Sequence, residues 1–261
     1  MLLGVNIDHI AVLREARKIN DPNPLDAVPI CKISGADQIT IHLREDRRHI
    51  CDDDAKNIIN ISALPVNLEC SINDEIIDIV CELLPHRATL VPENRAEVTT
   101  EGGLDVKNNF EQIKKVVSKL HDHGIEVSLF IDPKEDIIEL SKELEVEWIE
   151  LHTGTFANIY AMLFSGLNKT HHTIKELELS RNELASKLEY SLNEIKNSAN
   201  FGDKVGLKVA AGHGLNYQNV KLISSISSIS ELNIGQSIIA RSVFTGLEKA
   251  IVEMKKIITN D

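Results

Sequence analysis

The sequence contains few aromatic residues, with one Trp, three Tyr and six Phe making up 4% of its 261 residues. Because hydrophobic residues still account for 43%, Leu, Ile and Val must form the interior of the fold. The length suits one large α/β domain or two small ones. No linker or low-complexity segment divides the chain, so we expect a single domain over residues 1–261.

Other absences narrow the class of protein. The four cysteines form no C-x-x-C pair, which indicates reduced thiols in a cytoplasmic protein and neither a disulfide framework nor a zinc knuckle. No apolar run approaches the roughly 18 residues of a membrane-spanning helix, and the first residues are typical of a strand, not of a secretory signal. The net charge of −12 and the pI near 5.3 lack the basic excess that nucleic-acid binding requires. We therefore expect small-molecule partners, with no nucleic acid and no membrane.

What the chain does contain is a cationic segment, His42–His49, with three arginines and two histidines in eight residues. It follows the strand-like Gln38–Ile41 and precedes Asp52–Asp54, which can begin a helix because carboxylates interact favourably with a helix N-terminus. A cationic cluster at the end of a strand is well placed to hold a small anion such as a phosphate. The alternative is a solvated loop in which the arginines pair with neighbouring carboxylates.

Strand-like runs alternate with helical patterns along the chain. This alternation predicts parallel strands joined by helical crossovers, and eight such units in 261 residues fit an α/β fold of the (β/α)8 barrel type. A doubly wound open sheet is the alternative. The predicted strands lie near residues 3–8, 38–43, 65–69, 87–91, 126–131, 147–152, 205–211 and 231–234.

Recognisable residues mark several helix ends, and two segments depart from the repeat. Asn73 is a predicted N-cap, and Asp132-Pro133 supplies a predicted cap followed by a first-turn proline. The polar segment Pro92–Val106 is long enough for a mobile lid. The segment around residues 158–201 exceeds one ordinary helix and predicts an extra helical insertion that covers the barrel or packs on another subunit.

Side chains alternate along a strand, so each barrel strand turns one set towards the helices and the other into the lumen. The predicted helix-facing set is apolar and comprises Val5, Ile7, Ile39, Ile41, Val66, Leu68, Ile149, Leu151, Leu232 and Ile234. The predicted lumen-facing set is polar and comprises Asn6, Asp8, Thr40, His42, Asn67, Glu69, Glu150, His152 and Asn233. A buried polar group left without a hydrogen bond costs roughly 1–3 kcal/mol, so this concentration predicts a functional site.

Two kinds of chemistry are expected at this site. Glu69, Glu150, His42 and His213 are candidate proton carriers, because burial and neighbouring charges can bring their pKa values close to neutrality. Glycines in the segments 210–214 and 233–237 let backbone N–H groups approach an anion, where barrels of this class often bind phosphate. Together with the Arg44 region, this predicts two anion sites, for a bisphosphate or for two phosphorylated substrates that are joined.

These residues lie in motifs that resemble the pyridoxine 5′-phosphate synthase family from the first strand to the last helix. The segments that carry the resemblance are Gly4–Ile10, His42–Ile50, Asn67–Glu69, Leu90–Glu93, Glu97–Val106, Glu150–Gly154 and Ala211–Leu215. The resemblance implies a (β/α)8 barrel that assembles into a homo-octamer and needs no metal and no cofactor. It also implies the condensation of 1-deoxy-D-xylulose 5-phosphate with 3-amino-2-oxopropyl phosphate, giving pyridoxine 5′-phosphate, inorganic phosphate and water.

The resemblance further implies a role for individual residues. His42 and Glu69 would accept protons, His213 would donate one, and Glu150 would stabilise a charged transition state. The deoxyxylulose phosphate would be bound by Asp8, His9, Arg44, His49 and Thr99. The aminoketone phosphate would be bound by Asn6, Arg17, Gly214, Gly235 and Gln236. Gln236 departs from the family, which usually has histidine there, and glutamine can still donate a hydrogen bond but cannot become cationic.

Two other functions fit parts of the pattern. A metal-dependent barrel hydrolase or aldolase acting on a phosphorylated substrate could use His9, His42, Glu150 and His152 as ligands, although the arginines beside His42 would repel a cation. A non-catalytic phosphosugar sensor could keep the barrel, although sensors rarely need so many ionisable groups that face the ligand.

Overall fold

The computed structural model describes residues 1–93 and 102–259. Within these ranges eight parallel strands pair in chain order, and β8 returns to pair with β1, which closes the sheet into a barrel. The predicted (β/α)8 fold is therefore confirmed. The strands are β1 (Leu2–Asn6), β2 (Gln38–His42), β3 (Val66–Cys70), β4 (Arg87–Leu90), β5 (Glu126–Ile131), β6 (Trp148–His152), β7 (Lys208–Gly212) and β8 (Glu231–Ile234).

Helices follow the strands around the outside of the barrel. In the described ranges they are α1 (Asp8–Glu15), α2 (Ala27–Ile33), α3 (Asp52–Ile61), α4 (Asp74–Leu83), α5 (Phe110–Asp122), α6 (Glu135–Glu143), α7 (Gly154–Tyr160), α8 (Arg181–Lys204), α9 (Val220–Ser224), α10 (Gln236–Thr245) and α11 (Leu247–Thr259). None of these helices has both the length and the apolar character needed to cross a membrane.

The main hydrophobic core lies between the outer face of the barrel and the helices. Every residue of the predicted helix-facing set is buried in it, and burying one such branched side chain stabilises the fold by about 1.5–3 kcal/mol. The opposite faces of the strands point into the lumen and carry polar residues, which are described with the candidate site. The alternating pattern read from the sequence thus separates the core from the site.

Of the two helix starts predicted at Asn73 and at Asp132-Pro133, the first is confirmed and the second is wrong. Asn73 caps α4, because its side chain accepts the Glu75 N–H. The predicted cap at Asp132-Pro133 is wrong, since α6 begins only at Glu135. Asp132 does not cap because its carboxylate is occupied by tertiary contacts with Gly103 and His152.

The ends of three strands also differ from the prediction. The seventh strand begins at Lys208 instead of residue 205. β1 ends at Asn6, and Asp8 starts α1, because the Asn6 side chain accepts the Asp8 N–H at 3.0 Å and turns the chain. β2 ends at His42, so Arg44 lies in the following loop. Asp8 and Arg44 are nevertheless buried.

The predicted helical insertion lies between β6 and β7, but it is not one element. After α7 come a π-helical turn at Ala161–Ser165 and two 3-10 turns, before the 24-residue α8 begins at Arg181. Ser180 and Glu183 form a capping box that fixes the start of α8. Leu184 packs in a small separate hydrophobic cluster, while Ile195 and Ala199 belong to the main core. The second half of α8 is therefore the regular helix of the sixth unit, and the insertion precedes it.

The predicted lid, Pro92–Val106, lies partly outside the described residues. Two residues of its described part are held by hydrogen bonds. Gly103 donates its N–H to the Asp132 carboxylate at 2.9 Å, and Leu104 donates its N–H to the Phe130 carbonyl at 2.7 Å. Lid motion therefore stays a prediction.

Candidate active site

The barrel lumen is polar along its whole length. At its N-terminal end the Arg87 guanidinium binds both oxygens of Glu231, at 2.8 and 3.1 Å, and stacks on the Trp148 ring at 3.8 Å. Further up, Asn233 donates to Glu150 at 2.7 Å. The predicted lumen residues therefore do face inward, but Arg87 and Glu231, at the start of their strands, were not foreseen. Both could have been predicted from the alternation of side chains, because each lies two positions before a lumen-facing residue of the same strand.

Glu69 and Glu150 form the acidic centre of the lumen. Burial, together with the charges of Glu150 and Asp8, raises the pKa of Glu69 well above its ordinary value. Burial also raises the pKa of Glu150 to about 7, against the opposing effect of the Asn233 hydrogen bond. A carboxyl group that titrates near neutrality can both take up and release a proton at physiological pH. The raised pKa values favour proton transfer by the two residues, which stays a prediction.

His42 lies beside this pair at the end of β2. Its Nε2 atom is 3.0 Å from Glu93 Oε1, and its backbone N–H donates to Asp8 at 2.9 Å. Glu93 also accepts the Glu45 N–H at 3.0 Å, and its pKa is lowered by hydrogen bonding to His42, although burial acts in the opposite direction. Glu93 thus holds His42 in a fixed orientation, a role that the sequence analysis did not assign to it.

The cationic segment forms the rim next to His42. Arg44 is buried and bonds to Asp46 at 3.2 Å, while the rings of His42 and His49 lie 6.0 Å apart. Arg47 and Arg48 pair with Asp52 and Asp46. Arg44 and His49 therefore face the site, whereas Arg47 and Arg48 stabilise the loop. For these two arginines the structure agrees with the alternative prediction of a loop held by arginine–carboxylate pairs.

Burial opposes a positive charge on His49 and His9 at this rim. Burial lowers the pKa of His49, and the charges of His42, Arg44 and His9 lower it further, although Asp8 opposes them. Burial also lowers the pKa of His9, whose Nδ1 atom is buried without a hydrogen-bond partner in the described ranges. A bound phosphate would raise both pKa values, because an opposite charge stabilises the protonated form. Charge and hydrogen-bonding capacity are therefore available for an anion.

The second predicted anion site lies at the ends of β7 and β8. His213 and Gly214 both have left-handed backbone conformations, with φ of 73° and 83°. The chain continues from β8 through Gly235 into α10, of which Gln236 is the exposed first residue. Asn6 is joined to Asp8 at 2.8 Å at the neighbouring end of β1. The structure thus brings Asn6, Gly214, Gly235 and Gln236 to one end of the barrel, at the C-terminal edges of β1, β7 and β8.

No contact in the described part of the chain joins Arg17, another predicted ligand, to this end of the barrel. Arg17 is exposed in the turn after α1, and its side chain makes no hydrogen bond with the rest of the described chain. Thr99 lies outside the described residues. Their binding roles stay predictions.

His152, which the sequence left between a catalytic and a structural role, lies next to His213. The two rings are 5.1 Å apart, and Phe130 contacts both at its ring edges. Asp132 lies 3.4 Å from His152 Nδ1, and hydrogen bonding to His152 lowers the pKa of the Asp132 carboxyl. Burial, together with the charge of His152, lowers the pKa of His213 to about 4. Asp132 therefore belongs to the surroundings of the predicted proton donor, although the sequence suggested only a helix cap.

The four ligands of the metal-dependent alternative do not converge. His42 faces Glu93, His152 faces Asp132, and Glu150 accepts from Asn233. Across residues 1–93 and 102–259 no group of three or more His, Cys, Asp or Glu side chains is arranged to hold a metal ion. The described side chains therefore do not form the shared metal site that this alternative requires.

The titration of Glu150 gives a testable pH dependence of stability. Its pKa rises on folding from 4.5 to about 7, so its contribution favours the folded state below pH 4.5 and is lost as the pH rises through about 7. His213 acts in the opposite sense, because its pKa falls from 6.5 to about 4. Between pH 4 and pH 8, the unfolding free energy of the wild type should fall by on the order of 3 kcal/mol more than that of Glu150→Gln.

Urea denaturation of both proteins at the two pH values measures this difference. Exposed Glu82 on α4 supplies the control, since Glu82→Gln should follow the wild type. Parallel curves for the wild type and Glu150→Gln would show that Glu150 does not titrate near neutrality.

Comparison with known proteins adds independent information. Residues 3–260 match the family model described as "Pyridoxal phosphate biosynthesis protein PdxJ". A protein of Aliarcobacter butzleri named pyridoxine 5′-phosphate synthase is 76% identical over 261 residues, covering 100% of both chains. A protein of the same name from Nitratiruptor is 63% identical over 258 residues, covering 99% of this chain and 97% of its own. Among solved structures, N-(5′-phosphoribosyl)anthranilate isomerase from Pyrococcus furiosus covers 100% of both chains with a TM-score of 0.57 at 14% identity, which shows the fold alone.

Proposed function

The chain belongs to the pyridoxal phosphate biosynthesis protein PdxJ family, whose members include pyridoxine 5′-phosphate synthases, and from that premise we propose the reaction that it catalyses. It is an enzyme of pyridoxine biosynthesis that condenses 1-deoxy-D-xylulose 5-phosphate with 3-amino-2-oxopropyl phosphate. The products are pyridoxine 5′-phosphate, inorganic phosphate and water. General acid/base catalysis by side chains carries the reaction, with no metal and no cofactor.

The observation that supports this most strongly is the Glu69–Glu150 pair in the lumen. The reaction joins an amine to a ketone and then requires tautomerisation, loss of phosphate, carbon–carbon bond formation and dehydration. Each step moves protons and none needs a hydride acceptor. Two carboxyl groups with raised pKa values in the lumen, with His42 at the end of β2 and His213 directly after β7, supply such proton carriers.

The proposed roles follow the chemistry of each group. His42 and Glu69 accept protons, and Glu150 stabilises the positive charge that develops when the amine attacks the ketone. His213 donates a proton to a leaving oxygen. Burial lowers the pKa of His213 to about 4, and the negative charge of a bound phosphate would raise it and favour the protonated form that donates.

Two sets of residues at the C-terminal end of the barrel bind the two substrates. Asp8, His9, Arg44, His49 and Thr99 bind the deoxyxylulose phosphate. Asn6, Arg17, Gly214, Gly235 and Gln236 bind the aminoketone phosphate. The enzyme acts in the cytoplasm as a homo-octamer. Exposed Phe244 and Val243, which are 88% and 68% accessible at the end of α10, are consistent with a subunit interface.

Mixing the two substrates with the enzyme and following the absorbance of pyridoxine 5′-phosphate tests the reaction. Product formation that survives exhaustive chelation supports the metal-free mechanism. Loss of product on chelation, with recovery on adding a divalent metal, would favour the metal-dependent alternative. Tight binding of both substrates without product would favour a sensor.

Arg44→Ala should weaken the binding of the deoxyxylulose phosphate. Arg44 is buried at the rim and lies next to His49 and Asp46, where its charge faces an incoming phosphate. Loss of one charge-assisted hydrogen bond costs about 1.5–3 kcal/mol, which corresponds to a rise of about 10- to 150-fold in the apparent KM for this substrate.

Steady-state kinetics with each substrate varied in turn measures the effect. The KM for the aminoketone phosphate should stay within about twofold, because its proposed ligands lie elsewhere. Arg48→Ala is the matched control, since Arg48 is more exposed and pairs with Asp46. An unchanged KM for the deoxyxylulose phosphate in Arg44→Ala would remove Arg44 from the binding site.

A further inference from the structure

The amide of Asn233 lies between the candidate catalytic carboxyl of Glu150 and the ion pair at the other end of the lumen. Its Nδ2 atom donates to Glu150 Oε2 at 2.7 Å and to Glu231 Oε1 at 3.3 Å. Its Oδ1 atom accepts from the Thr40 hydroxyl at 3.2 Å and from the Gln38 amide at 3.4 Å. Two donors on one side and two carboxylates on the other permit only this orientation of the amide.

The amide and the carboxyl are also held in place sterically. Asn233 is 6% and Glu150 is 3% exposed. A Cβ atom at Gly4 would lie 2.0 Å from Asn233 Oδ1, and one at Gly212 would lie 2.1 Å from Glu150 Oε1. Glycine at these two positions is therefore what allows the two side chains to fit where they lie.

The charges around Glu150 show what this hydrogen bond does. Arg87 forms an ion pair with Glu231 and so compensates its charge. The charges of Glu150 and Asp8 both raise the pKa of Glu69. Among the contributions to the pKa of Glu150, burial raises it most, and the Asn233 hydrogen bond is the largest that lowers it. A hydrogen bond donated to a carboxylate stabilises the ionised form.

We propose that Asn233 is a positioning residue that keeps Glu150 oriented and available as the charged member of the Glu69–Glu150 pair. This role rests on the proposed function, in which a charged Glu150 stabilises the cation formed on condensation. Gln38 and Thr40 orient the Asn233 amide, and Arg87 binds both oxygens of Glu231, whose hydrogen bond from Asn233 is the longer of the two at 3.3 Å. Asn233 thereby links the N-terminal end of the barrel to the reaction centre without touching the substrate.

Asn233→Asp is the sharpest test, because it preserves size and the acceptor oxygen but replaces the donor with a carboxylate oxygen. Without the donor and with an added like charge, the pKa of Glu150 should rise by about 1–3 units. We expect kcat at pH 7 to fall at least about tenfold, the acidic limb of the pH profile of kcat to shift upward, and activity to recover partly at higher pH. Asn200→Asp is the matched control, since Asn200 is exposed and its oxygen accepts from Ser228.

A second measurement does not depend on turnover. NMR titration of the 13C-labelled Glu150 carboxyl, assigned by comparison with Glu150→Gln, should show the same upward shift in Asn233→Asp. If the wild type titrates as described but makes no pyridoxine 5′-phosphate, the proposed function fails while the role of Asn233 in setting the Glu150 charge stands. An unshifted titration and an unshifted acidic limb, even with lower kcat, would overturn the inference and leave Asn233 a structural residue.

Two further variants keep the test decisive if Asn233→Asp folds poorly. Thr40→Val removes one of the donors that orient the Asn233 amide and adds no charge, so the Glu150 titration should shift in the same direction by a smaller amount. The double variant Asn233→Asp with Glu150→Gln exchanges donor and acceptor across the same hydrogen bond. It should recover the stability of the wild type but not its activity; recovery of both would show that the charge on Glu150 is dispensable and would overturn the inference.

Discussion

Glu69→Gln should lower turnover by about 100-fold or more, because loss of a positioned proton carrier typically removes 10²–10⁴-fold of rate. Glutamine preserves the shape of the side chain but cannot accept a proton. Burial, together with the charges of Glu150 and Asp8, raises the pKa of Glu69 well above its ordinary value, so ionising this carboxyl costs more in the folded protein than in the unfolded chain. An uncharged amide at this position should therefore leave the stability of the fold unchanged or slightly raised at neutral pH, while activity falls.

This separation of activity from stability is the useful readout. Steady-state kinetics should give a reduced kcat, while urea denaturation should give an unfolding free energy no lower than that of the wild type. Glu82→Gln on the exposed face of α4 serves as the control for both measurements. Near-normal turnover in Glu69→Gln would remove Glu69 from the mechanism, and a large loss of stability would mean that Glu69 is ionised and paired in the folded protein.

Arg87→Met should lower the unfolding free energy by about 3–5 kcal/mol, because it leaves the Glu231 carboxylate buried without its cation. Arg87 is 3% and Glu231 is 2% exposed, and the guanidinium binds both carboxylate oxygens. Methionine restores much of the volume but none of the charge.

Two comparisons isolate the cause. Arg241→Met breaks an ion pair with Glu253 on the surface, where Arg241 is 47% exposed, and should cost at most about 1 kcal/mol. The double variant Arg87→Met with Glu231→Gln removes both charges and should recover much of the stability lost by Arg87→Met. Equal destabilisation by Arg87→Met and Arg241→Met, measured by urea denaturation, would show that the lumen pair is not shielded from solvent.

The sequence predicted the residues at the C-terminal ends of the strands better than those at the N-terminal ends. His42, Glu69 and Glu150 were found because they alternate with apolar residues in strands and because they match family motifs. Arg87 and Glu231 begin their strands, where a charged residue is equally typical of a solvated turn. Only closure of the barrel places the two side chains opposite each other, since they are 144 positions apart in the chain.

Asp132 and Glu93 show a second limit of sequence reasoning. Asp132-Pro133 has the local pattern of a helix start, but the carboxylate bonds to Gly103 and faces His152, which are distant in the chain. Glu93 follows β4 and binds His42, 51 positions away. A local pattern describes what a side chain can do for its own neighbours, and tertiary contacts can offer the same atoms a different partner.

The sequence by itself determined the eight-fold repeat, the separation of apolar and polar strand faces, and the family, because these depend on local periodicity and on contiguous motifs. The tertiary structure decided which charges meet in the lumen and how they titrate. Burial and neighbours from other strands bring the pKa of Glu150 to about 7 and lower that of His213 to about 4. The physical reason is that desolvation and charge–charge interaction depend on distances through space, and those distances exist only once the barrel has closed.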